Sequence, residues 1–274
     1  DLKKSICKKF KRDNNLDYNV DQIVVSTGAK QSIANVCMSL VNKGDEVLIP
    51  TPYWVSYSAM VALAEGIPVF INPDDDSNYK ITAQQLESAI TDKTKMLMLN
   101  SPNNPSGSVF TEQEYLKFSK VLSKYPNIII VSDEIYEHIN YGVKSVSFAS
   151  LPGMFDRTVT VNGISKAYAM TGWRIGYLGA PKVIAKACNK MQGQITSGAN
   201  CIAQRATIKA LEESPEKIQY MVDEFKIRRD FIIDLVTKIN GFNIKQPPMG
   251  AFYIFPDISE SVSYTHLTLP TIVG

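Results

Sequence analysis

The sequence predicts an α/β fold in three layers, αβα, with helices on both faces of a mostly parallel sheet. Two observations carry that expectation. Short, largely apolar runs recur at 23–25, 47–49, 69–71, 96–99, 128–131 and 158–161. Runs without polar alternation suit strands covered on both faces, as in parallel sheets. Segments with helical periodicity lie between them, and strand alternating with helix is the pattern of parallel βαβ units.

The elements follow in order. After the run at 23–25 comes Gly28, and then Ile33, Val36, Cys37, Leu40 and Val41 recur at the spacing of one helix face. Thr82-Ala83-Gln84-Gln85 and Thr111-Glu112-Gln113-Glu114 match the capping box, so a helix is expected to open at each. A long charged helix is expected from Pro215 to about Ile239, long enough to bridge two domains. Gly250-Ala251-Phe252-Tyr253-Ile254-Phe255-Pro256 reads as a strand that begins a smaller α+β domain. The expected division is 1–235 for a large domain with an incomplete N-terminus and 236–260 for the truncated start of the second. Residues 261–274 show neither periodicity nor caps, and read as a foreign tail.

Composition narrows the function. Of 274 residues, 45% are hydrophobic and 20% charged, ordinary values for a chain that forms a sizeable core. The 29 basic and 27 acidic residues include no long basic run, so nucleic acid is not an expected partner. No apolar stretch reaches the roughly 18 to 20 residues that span a bilayer, so no membrane partner is expected. Cys7, Cys37, Cys188 and Cys201 form no Cys-x-x-Cys and no zinc-like cluster. They read as free thiols of a cytoplasmic protein. The first residue is Asp1, not methionine, so a lost N-terminal segment is expected.

Ligands of open α/β sheets bind beyond the carboxyl ends of the strands, and the unusual residues of this chain fall there. Lys166 lies in Val161-Asn162-Gly163-Ile164-Ser165-Lys166-Ala167, just past the last run. A lysine drawn inside is costly unless its amine is used, and imine formation with a carbonyl is the commonest use. A solvated Ser-Lys loop is the alternative. Arg174, in Thr171-Gly172-Trp173-Arg174-Ile175-Gly176-Tyr177, supplies a fixed cation suited to a phosphate ester. A lysine beside a phosphate anchor suggests pyridoxal 5'-phosphate.

Four further strand ends add to this. Ser26-Thr27-Gly28-Ala29-Lys30 puts glycine at a helix start, either an anion site of free N–H groups or a simple tight turn. Pro50-Thr51-Pro52-Tyr53-Trp54 offers two rings that either stack on a flat cofactor or pack in the core. In Asn100-Ser101-Pro102-Asn103-Asn104-Pro105, the asparagines either donate to a phenolate or carboxylate, or form Asx-Pro turns. Ser132-Asp133-Glu134-Ile135-Tyr136-Glu137 holds a carboxylate at the end of a buried strand. Asp133 either keeps a pyridinium nitrogen protonated or caps a helix, and Tyr136 is within reach of the ring's 3-oxygen. No metal is expected, because no histidine cluster accompanies Asp133 and Glu134. His138 reads as a helix-surface histidine.

On these motifs the chain resembles the class I aminotransferases of the fold type I pyridoxal phosphate enzymes, and most of all their bacterial aspartate aminotransferase branch, over about 1–259. The resemblance implies that Gly28, Ala29 and Lys30 hold the phosphate region and that Trp54 stacks on the pyridine ring. It implies that Asn104 and Tyr136 bind the 3-oxygen, Asp133 pairs with the ring nitrogen, Lys166 carries the cofactor as an aldimine, and Arg174 binds the phosphate. Lys166, Asp133 and Tyr136 would be the catalytic set. Gly163 departs from members that carry a phosphate-binding serine there, with Asn162 or Ser165 as substitutes. The implied reaction moves an amino group from an L-amino acid, aspartate, to a 2-oxo acid, 2-oxoglutarate, in a homodimer. A β-lyase or an aromatic transaminase would use the same residues, and so would the sensor domain of a transcription regulator. The segment that covers the site and the arginine that clamps the substrate carboxylate are not in this sequence, so a fragment is expected.

Overall fold

The computed structural model describes residues 1–75 and 77–261. The six runs form strands, β1 (Ile23–Ser26), β2 (Glu46–Pro50), β3 (Ile67–Ile71), β4 (Thr94–Asn100), β5 (Ile129–Asp133) and β6 (Thr158–Gly163). A seventh, β7 (Gly176–Gly179), was not signalled by any apolar run. The sheet order is β1-β7-β6-β5-β4-β2-β3. The strands from β6 to β3 pair in parallel, while β7 runs antiparallel to both β6 and β1.

Helices cover both faces: α1 (Leu2–Asn14), α2 (Ala29–Leu40), α3 (Ser56–Leu63), α4 (Ala83–Ala89), α5 (Glu112–Leu122), α6 (Lys182–Ile195), α7 (Cys201–Glu212) and α8 (Gln219–Val236). Successive strand side chains point to opposite faces, so each central strand feeds two cores. Val47, Ile49, Met96 and Met98 pack with Ile33, Val36 and Cys188 of α2 and α6 on one side. Leu48, Leu97 and Leu99 pack with Leu86, Phe118 and Leu122 of α4 and α5 on the other. A third cluster seats α1 and α7 against β1 and β7 through Ile6, Phe10, Ile23 and Tyr177. The result is the expected three-layer arrangement.

Local signals explain where helices begin. Thr82 Oγ1 accepts from Gln85 N (3.2 Å), and Gln85 Oε1 accepts from Thr82 N (2.7 Å). Thr111 and Glu114 make the same reciprocal pair at the start of α5. The long charged segment opens with a tighter turn, Pro215–Ile218, before α8 proper. In α8 only Val222 is buried, and Tyr220, Ile227 and Phe231 are exposed.

Two expectations change. The stretch from Gly250 to Pro256 is not a strand: Gly250 forms an isolated bridge with Asn140, and Asp257 forms another with Asn243. Ala251 is fully buried and its carbonyl accepts from Tyr141 Oη, which ties this segment onto the large layer structure. His138 is not on a helix surface; it is mostly buried, with Nε2 3.4 Å from carboxylate oxygens of Asp13 and Glu137. The suspected foreign tail falls, but for residue 261, outside the described residues.

Candidate active site

A cleft of about 280 Å³ opens where the carboxyl ends of β4, β5 and β6 meet the start of α2. Lys166, Asp133, Tyr136, Asn104, Trp54, Ala29, Lys30 and Arg174 all line it. Gly28 lies just behind the wall as the N-cap of α2. The residues singled out from five separate strand ends are thus brought together.

Asp133 is the last residue of β5 and is buried. Its Oδ2 accepts from Tyr57 Oη at 2.7 Å, and its Oδ1 accepts from Ile135 N at 3.3 Å. Burial pushes its carboxyl up to about 6, while the Tyr57 and Ile135 bonds and the nearby Lys166 pull it down. Asp133 caps no helix, since the chain continues in a turn.

Lys166 is half-buried, with Nζ 5.6 Å from the Tyr136 ring centre and 5.3 Å from that of Phe252. Burial lowers the proton affinity of its amine, the Arg174 charge lowers it further, and Asp133 opposes both. This is the setting in which an amine serves as nucleophile and base.

The asparagines divide their work. Asn103 is consumed locally, its Oδ1 accepting from Ser106 N and its Nδ2 donating to Pro52 O. Asn104 faces the cleft, where Nδ2 donates to Tyr253 Oη at 3.2 Å. Tyr253 Oη in turn lies 2.7 Å from Tyr136 Oη. Burial, then the Tyr253 contact, raises the Tyr136 phenol far above its ordinary range. Of the two candidate rings, Trp54 lines the cleft with Lys30 Nζ 4.9 Å from its ring centre. Tyr53 stacks on Phe70 instead, 5.0 Å between centres.

At the opposite end, Gly28 adopts φ 86°, and a Cβ there would come within 2.5 Å of Arg174 Nη2. The guanidinium therefore sits beside Gly28 at the start of α2, and Arg174 Nη1 donates to Thr171 O at 2.8 Å. A helix start, a guanidinium and the lining hydroxyls of Ser165 and Thr171 make an anion-binding corner. Gly163 is explained by crowding, because a Cβ would meet Ile175 O at 2.9 Å. Asn162 does not substitute for a serine here; its amide is turned to Glu137. Ser165 is the residue of that pair in the cleft.

Sequence reasoning missed Tyr57 and Tyr253. Tyr57 lies three residues after Trp54, one helical turn along, which was the available signal. Nothing local marked Tyr253, whose neighbours Asn104 and Tyr136 are distant in sequence. No described helix is long and apolar enough to cross a membrane.

A family profile described as aminotransferase class I and II matches residues 1–268. A bifunctional aspartate aminotransferase and glutamate/aspartate-prephenate aminotransferase of Petunia hybrida is 46% identical over 264 residues, 95% of this chain and 55% of that protein. A probable aspartate/prephenate aminotransferase of Rickettsia typhi is 47% identical over 256 residues, 93% of this chain and 64% of that protein. The crystal structure of the aspartate aminotransferase from Rhizobium meliloti superposes with a TM-score of 0.89 at 45% identity, covering 91% of this chain and 63% of that one. The chain thus spans between about half and two thirds of the length of these relatives.

Proposed function

The chain belongs to the aminotransferase class I and II family, and from that premise we propose that its cleft binds pyridoxal 5'-phosphate and moves an amino group from aspartate to 2-oxoglutarate. The observation that carries this reading is the meeting of a half-buried amine, a buried carboxylate and a guanidinium, Lys166, Asp133 and Arg174, in a single small cleft. The relatives' names support aspartate as donor, and two of them add prephenate as a second acceptor to test.

The residues present fit that cofactor. Glycine at 28 leaves the Arg174 guanidinium beside the start of α2, where a Cβ would collide with it, and a helix start with a guanidinium suits a phosphate. Asp133 is a buried carboxylate lining the cleft, and a cationic ring nitrogen would be a fitting partner for it.

Pyridoxal phosphate, when bound, supplies an electron-withdrawing ring that accepts the pair left as the substrate Cα loses its proton. Lys166 would be the amine that holds the cofactor and moves the proton at the substrate Cα, a role suited to an amine whose proton affinity is lowered by burial. Asp133, held by the Tyr57 hydroxyl, would keep the ring nitrogen protonated. Among the residues lining the cleft, Asn104 and Tyr136 would donate to the ring oxygen, Trp54 would cover a ring face, and Ala29, Lys30 and Arg174 would hold the phosphate. The working unit we propose is a homodimer.

The test uses the complete coding sequence. With pyridoxal phosphate the protein is expected to turn yellow, and borohydride to label Lys166. Lys166→Ala should remove both signals and transamination. Labelling of a different lysine in the cleft would overturn the assignment. Oxo acid formed from aspartate supports the reading; pyruvate from cystathionine, or a preference for phenylalanine, would replace aspartate transamination with lyase or aromatic chemistry.

A further inference from the structure

Glu137 lies outside the cleft, yet its carboxylate joins the two loops that build it. Lys9 Nζ on α1 donates to Oε1. Asn162 Nδ2, in β6, donates to the same oxygen at 2.6 Å. Asn14, at the end of α1, donates to Oε2 at 2.5 Å and accepts from Lys9 Nζ at 2.6 Å. The other amide atom of Asn162, Oδ1, accepts from Gly163 N at 2.7 Å. Lys9 and Glu137 are both buried.

Burial alone would drive a proton onto Glu137, but the charges of Lys9 and His138 and the Lys9 and Asn14 hydrogen bonds overcome it and hold the carboxyl below its ordinary range. Asp13, Glu137 and His138 are grouped as metal ligands would be, but the Lys9 ammonium already lies against Glu137 and 3.7 Å from Asp13. The cation of this cluster is the lysine.

A buried ion pair contributes little net stability compared with an apolar replacement, and its best-attested use is to fix one register. Here the register joins chemistry-bearing segments. Glu137 closes the turn that begins at Asp133 and directly follows Tyr136, with Glu137 N donating to Glu134 O at 3.0 Å. Asn162 lies one residue before the end of the strand that leads to Lys166. We propose that Glu137 is a positioning residue, clamping the turn that bears Asp133 and Tyr136 against the strand end that delivers Lys166. The inference rests on the proposed function for its catalytic consequence only; the clamp itself is a property of the chain.

The experiment compares wild type, Glu137→Gln and Asn162→Ala in the complete protein. Asn162→Ala removes only the β6 arm and leaves the Lys9 pair, so it remains informative should Glu137→Gln fail to fold. Loaded with pyridoxal phosphate, both variants are expected to lose kcat by roughly 10- to 100-fold, the scale of a small misplacement, with KM for aspartate changed by less than about threefold. The visible circular dichroism of the bound cofactor should shrink. In cofactor-free protein, hydrogen exchange should accelerate at 133–137 and 162–167 together. Variants that lose thermal stability but keep kcat, dichroism and exchange at both segments would overturn the proposal and leave Glu137 a structural ion pair. A wild type that takes up no cofactor and transaminates nothing would defeat the proposed function, while the exchange data would still decide the clamp.

Discussion

A carboxylate as deeply buried as Asp133 keeps its charge only through Tyr57, the Ile135 N–H and the nearby Lys166. Asp133→Asn should leave the cofactor bound and cut turnover severely, since a neutral amide does not hold the ring proton; undiminished turnover would contradict the electrostatic role. Tyr57→Phe removes a donor that lowers the Asp133 carboxyl, so the acid limb of kcat/KM should move to higher pH. A hydrogen bond to a charged group contributes about 1.5–3 kcal/mol, so a roughly tenfold or larger loss at neutral pH is expected, shrinking as pH rises. Glu134 gives a separate test on stability. Burial, then the Glu137 charge, raises its carboxyl from 4.5 to about 8. The folded protein therefore keeps a proton that the unfolded chain has released, and this contribution to stability falls as pH rises between those values. Glu134→Gln should remove up to about 1.4 kcal/mol per pH unit of that fall, read as the difference between denaturation curves of variant and wild type. Lys166, Asp133 and Asn104 were legible in sequence because each follows an abrupt end of an apolar run. Tyr57 and Tyr253 were not, because an ordinary buried tyrosine and a cleft tyrosine look alike until the chain is folded. The turning of Asn162 toward Glu137 depends on Lys9, a contact no local window contains.

Elements were legible in proportion to how local their causes are. Both capping boxes could be read directly, and Thr111→Ala should cost about 1 kcal/mol in a denaturation experiment by removing the acceptor for Glu114 N. The β7 strand could not be read, because Gly-Tyr-Leu-Gly has neither an apolar run nor alternation. Its first glycine is there for the helix beside it: a Cβ on Gly176 would overlap the backbone of Gly28 and Ala29. Gly176→Ala should therefore push the start of α2 away from Arg174 and weaken cofactor affinity more than it lowers kcat at saturation, which titration with pyridoxal phosphate would measure. The stretch from Gly250 to Pro256 is expected to be a strand, but its backbone bonds go to Ile139, Tyr141 and Gly107 in isolated contacts.

At the scale of the whole molecule, the proposed dimer would cover large apolar side chains that are exposed here: Val55 just before α3, Leu63 in α3 and Phe70 in β3. Sedimentation of the complete protein should give a dimer over the working concentration range, and a monomer at all concentrations would contradict it. The sheet order carries a different consequence, for the ribosome rather than the reaction. β1 emerges early, yet among the described residues the strand it pairs with is β7, made long after β2 to β6. Contacts so far apart in sequence form late, because a long loop must close before they are rewarded. During synthesis the middle of the sheet can assemble while β1 waits with an open edge, and only the arrival of β7 brings Arg174 beside Gly28. The corner proposed to receive a phosphate thus comes together only after Asp133, Tyr136 and Lys166, the residues proposed to act on the cofactor, have all been synthesised.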